Sequence, residues 1–82
     1  MTITVLSKDA CVQCTATYRK LDAEGVDYKI EDIYSDENMA TITQLGHMRA
    51  PVVITRNEQG EIVEHWSGFN PSKISEVASS LK

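Results

Sequence analysis

Ile3-Thr4-Val5-Leu6-Ser7-Lys8-Asp9-Ala10-Cys11-Val12-Gln13-Cys14 decides how this chain folds. Its apolar, largely β-branched start reads as a strand, and the residues from Cys11 or Val12 onward read as a helix. The chain's two cysteines sit three positions apart at that strand-to-helix junction. A random pair in so short a chain takes this spacing about 2% of the time, so the pair is read as selected. A C-x-x-C placed there has the layout of a redox-active dithiol.

The totals agree with that reading. The 82 residues leave room for a single domain spanning 1–82 with one core, and the 41% hydrophobic content suffices to fold it. A net charge of −4 argues against nucleic acid or an anionic membrane surface as a ligand. No stretch approaches the ~20 apolar residues of a membrane span. Met1 to Leu6 lacks a basic start and Lys8-Asp9 cuts the apolar run short, so no secretory signal is expected. The expected compartment is the reducing cytoplasm, where a C-x-x-C is catalytic or metal-binding rather than structural.

Outward from the opening stretch, strand and helix signals alternate. Thr2 to Leu6 is the first strand. The first helix runs to Glu24 with Cys14, Tyr18 and Leu21 on one face, and Gly25 stops it. Val26, Tyr28 and Ile30 mark a second strand. Ser35 caps a second helix whose buried side is Met39, Ile42 and Leu45, ended by Gly46. Val52-Val53-Ile54 is a third strand, Asn57 to Gly60 a polar hairpin loop, and Ile62 to Trp66 the returning strand. Asn70-Pro71 opens a last amphipathic helix through Ile74, Val77, Ala78 and Leu81. The order βαβαββα requires a parallel first pair and an antiparallel last pair. This gives an α/β protein, a mixed four-stranded sheet with helices on both faces: the thioredoxin fold in its minimal form.

Cys11 at the helix start meets unpaired N–H groups and the positive end of the helix dipole, which favour a thiolate. Cys14, one turn in, is more shielded and stays a thiol until needed. Attack by Cys11 on a partner disulfide, followed by attack of Cys14 on Cys11, completes an exchange. Thr2 to Leu6 offers no acid to take the Cys14 proton. His47 and His65 stand too far apart in sequence for half of a zinc site, so no metal is expected and neither histidine is given a role. In this fold a proline opening the third strand commonly carries a cis bond. Ala50-Pro51 stands at that point and is expected to be cis, with Ala50 and Pro51 forming the edge where an extended partner segment docks.

Cys11-Val12-Gln13-Cys14 with Ala16-Thr17, Ala50-Pro51-Val52-Val53 and Trp66-Ser67-Gly68-Phe69 resembles the NrdH-redoxins over nearly the whole chain. Members have a glutaredoxin-like fold and behave as thioredoxins. The resemblance implies Cys11 as nucleophile, Cys14 as resolving thiol and Pro51 as cis-proline. It further implies a monomer without bound cofactor. Its electrons would come from NADPH through thioredoxin reductase and go to class Ib ribonucleotide reductase. Val12 and Gln13, with Trp66, Ser67, Gly68 and Phe69, are expected to contact partners; Trp66 and Phe69 are read as partly exposed, with burial in the core as the alternative. The family usually continues Arg-Pro-acid where this chain has Asn70-Pro71-Ser72. Leu6 replaces a common aromatic, and the hairpin at Asn57 to Gly60 is longer.

Glutathione-dependent glutaredoxins differ at both places, carrying C-P-Y-C and a Gly-Gly-x-Asp segment after the last strand. A glutathione-dependent glutaredoxin remains the nearest rival. A metal- or cluster-binding module using the C-x-x-C and a redox-inert interaction domain are the others.

Overall fold

The computed structural model describes residues 1–81. Seven elements follow in the expected order: β1 (Thr2–Ser7), α1 (Val12–Ala23), β2 (Lys29–Asp32), α2 (Asp36–Leu45), β3 (Val52–Arg56), β4 (Ile62–Ser67) and α3 (Pro71–Leu81). The sheet order is β2-β1-β3-β4, with β1 parallel to β2 and antiparallel to β3, and β3 antiparallel to β4.

Alternation along β1 and β3 sends side chains to two cores. On one face Ile3, Val5 and Val53 pack with Trp66, with Leu21 of α1 and with Ile74 and Val77 of α3. On the other, Leu6, Val52 and Ile54 meet Ile33 and Ile42, so α2 alone covers that side.

Local signals set the boundaries. Ser35 caps α2 by accepting from the Asn38 N–H, and Asn70 Oδ1 accepts from the Lys73 N–H at the start of α3. α1 ends in a Schellman turn: Gly25 (φ +70°) donates to Asp22, and Val26 donates back to Leu21. This explains why β2 begins at Lys29 rather than Val26. Val26 closes the helix end and packs beside Tyr28 against the α1/α3 core, leaving a short, exposed edge strand. Met39 and Leu81, expected on buried faces, are exposed: neither joins the core clusters that α2 and α3 cover. Among the described residues no helix is long and apolar enough to cross a membrane.

Candidate active site

The dithiol sits where β1 hands over to α1. Ala10 turns the chain with φ +53°, a left-handed conformation that costs a non-glycine residue about 1 kcal/mol. Cys11 follows as the N-cap of α1, its sulfur accepting from the Cys14 N–H at 3.2 Å. No acidic residue stands in the first helical turn, so nothing within it opposes negative charge on that sulfur. Cys11 and Cys14 are joined as a disulfide, with Cα atoms 5.2 Å apart. Cys14 is only 1% exposed while Cys11 is half-buried, the asymmetry expected of a resolving thiol behind a nucleophile.

Two other segments are tied into the site by hydrogen bonds that no local pattern announces, one to the dithiol loop and one between themselves. The Gln13 side chain, between the cysteines, accepts from the Phe69 N–H at 3.0 Å across 56 positions of sequence. The Gly68 N–H donates to the Pro51 carbonyl at 2.8 Å. Gly68 has φ +78°, and a Cβ there would lie 3.0 Å from Gln13 Oε1, so both backbone shape and space ask for glycine. The Ala50-Pro51 bond is cis, as expected. Val12 is 85% exposed and Phe69 40%, giving an apolar rim beside the sulfurs.

Trp66 does not join that rim. It is 6% exposed and lies in the α1/α3 core, opposite Val53, so the expectation of a partly exposed, partner-contacting Trp66 is corrected to its alternative, a core residue. Its pairing with buried Val53 puts it on that strand's α1/α3 face, while the β-bulge in this hairpin lies beyond Glu64, at Thr55–Arg56. Its indole N–H is buried with no acceptor among the described residues. Ser67, the last residue of β4, is half-buried and pairs with Val52.

A groove beside the sulfurs went unread in the sequence. Cys14, Ser7 and Tyr18 line it, with Lys8, Asp32 and Tyr34 at its margins. The Tyr18 hydroxyl donates to Ser7, which donates to the Lys8 carbonyl. The signal was present, since Tyr18 is four residues past Cys14 on the same helix face. The structure also brings together the two histidines: His47 Nε2 and His65 Nδ1 are 2.8 Å apart. Burial, and next the charge of His65, push the His47 pKa below its ordinary value. Among the described residues no group of three or more His, Cys, Asp or Glu is arranged to hold a metal.

A paired dithiol, its outer sulfur capping a helix and its inner one buried under a thioredoxin fold, defines a thiol–disulfide oxidoreductase. The family model for glutaredoxin matches residues 3–59, and the chain belongs to that family, among its NrdH-like members. The glutaredoxin-like protein NrdH of Salmonella typhimurium is 31% identical over 78 residues, covering 94% of this chain and 89% of that protein. The NrdH-redoxin structure from Escherichia coli superposes with a TM-score of 0.80 at 31% identity, covering 94% of this chain and 95% of its own. The SPbeta prophage-derived thioredoxin-like protein YosR of Bacillus subtilis is 26% identical over 82 residues, the full length of both.

Proposed function

We propose that this protein is a dithiol carrier reduced by thioredoxin reductase, at the expense of NADPH, and passing electrons to class Ib ribonucleotide reductase. It acts in the cytoplasm as a monomer and needs no bound cofactor. The Cys11 thiolate attacks one sulfur of the acceptor disulfide, forming a mixed disulfide and freeing the acceptor's other sulfur as a thiolate. Cys14 gives up its proton and attacks the Cys11 sulfur. That step forms the Cys11–Cys14 disulfide and releases the second acceptor thiolate, so two electrons have moved. The groove holding Ser7 and Tyr18 gives the Cys14 proton a polar route to water. Ala50 and Pro51 form the edge against which an extended partner segment lies.

The observation that carries this reading is the Gln13–Phe69 bond. Where a glutathione-binding protein holds charged groups for the tripeptide's ends, this chain ties its C-x-x-C to an apolar rim of Val12 and Phe69. Such a surface suits a protein partner. Its test is NADPH consumption with a disulfide substrate, comparing thioredoxin reductase with glutathione plus glutathione reductase. Turnover with thioredoxin reductase alone is the expected result. Turnover with glutathione alone would make the protein a glutathione-dependent glutaredoxin.

A further inference from the structure

We propose that His47 and His65 form a two-histidine site for a late first-row divalent metal ion, of the Cu(II) or Ni(II) class, on the sheet face opposite α1 and α3. The site is independent of the dithiol.

The residues reach each other through the fold. His47 is the second residue past the last turn of α2, held by its N–H donating to the Ile42 carbonyl at 2.9 Å. His65 lies on β4 opposite Ile54, whose side chain packs in the core under α2. The single helix on this face thus ends beside the outermost strand, and the two rings meet edge to face at an interplanar angle of 76°. Glu64, next to His65, belongs to the other face and is paired with Lys73 at 3.2 Å, so that cation is engaged elsewhere. Arg49 is exposed.

The donors select the ion class, and their spacing lets both reach one ion. With metal–nitrogen bonds of about 2.0–2.1 Å, ligands at a right angle stand about 2.9 Å apart, and ligands at a tetrahedral angle about 3.3 Å. The observed 2.8 Å is a hydrogen-bonded separation close to both, which a small tilt of the rings opens to hold an ion. For two imidazole donors, affinity among divalent first-row ions rises through Ni(II) to a maximum at Cu(II). Without metal, one proton lies between the facing nitrogens. A bound ion takes its place, and that proton moves to the outer nitrogen of the same ring, so both imidazoles bind neutral. The rings tilt to aim both lone pairs at the ion, a motion open to the exposed His65. The carbonyl end of α2 beside His47 adds negative potential, which favours a cation. Water fills the remaining coordination positions, so the ion is exchangeable.

The test uses full-length, tag-free protein with Cys11 and Cys14 oxidised, so that no thiolate competes. Titration with Ni(II) by calorimetry should give one ion per chain. His47→Ala and His65→Ala should each weaken binding at least about tenfold, since a lost ligand costs no less than a lost outer-shell partner. In amide NMR spectra of the wild type, paramagnetic broadening should centre on His47 and His65, which decides the matter even if a variant folds poorly. Either variant binding like the wild type, no binding at all, or broadening centred on Met1 or the cysteine loop would overturn the site.

Discussion

The two ends of the sheet are built on opposite plans. At the hairpin end, Asn57 organises its own loop: its side-chain oxygen accepts from the N–H groups of Gln59 and Glu61, both at 3.0 Å. Its backbone N–H bonds Glu61, and Gly60 donates back to it. At the dithiol end the C-x-x-C loop closes on itself through the Cys11–Cys14 disulfide, but the site around it does not. Gln13 holds Phe69 and Pro51 holds Gly68, so three distant segments share one site. A self-contained turn contributes stability and little else. A site assembled from distant segments ties the reactive pair to the surface that partners touch.

If this contrast is right, damage at one end should stop chemistry and damage at the other should only soften the fold. Cys11→Ser has the largest expected effect: disulfide reduction falls to background. Serine caps a helix well, so the variant's unfolding free energy from urea titration should stay within about 0.5 kcal/mol of the reduced wild type. An equal loss of stability would erase the distinction. Trp66→Ala comes next, costing about 3–5 kcal/mol as a buried aromatic lost from the core. Trp66→Phe, which deletes the unpaired indole donor, should cost far less, read from the same denaturation curves.

Gly68→Ala and Asn57→Ala form a matched pair, each costing about 1 kcal/mol. The first should also slow turnover with a reductase by crowding Gln13; the second should leave turnover unchanged. Equal kinetics in the two would break the comparison. The smallest effect concerns pH. Because the folded protein lowers the His47 pKa, it favours the neutral ring. That contribution is complete above the ordinary histidine value of about 6.5 and is lost as pH falls below it. The Tm of metal-free protein should therefore fall slightly more between pH 7 and pH 5 than that of His47→Asn.

What was legible in the sequence follows the same division. Ser35, Gly25, Gly46 and Asn70 act within a few residues, and the elements they bound were readable from them. The C-x-x-C and the cis Ala50-Pro51 bond were readable too, one from spacing and one from its place in the fold. Trp66 was not: it stands beside Ser67, Gly68 and exposed Phe69 in one motif, but its pairing with Val53 turns it into the α1/α3 core. The Gln13–Phe69 and His47–His65 contacts depend on how elements meet across the sheet, and each joins residues of different elements, where local periodicity has no bearing.

Cys11 is both reactive atom and helix cap, and those duties pull against each other. A sulfur steadied by helix N–H groups departs readily as an anion, so a donor can reduce this pair with ease. The same steadying blunts its attack on the next disulfide, since nucleophilicity falls as the thiolate becomes more stable. It also stabilises the reduced pair, making the couple more oxidising. How firmly the first turn of α1 holds one sulfur therefore sets which donors lie uphill of this protein and which acceptors lie downhill.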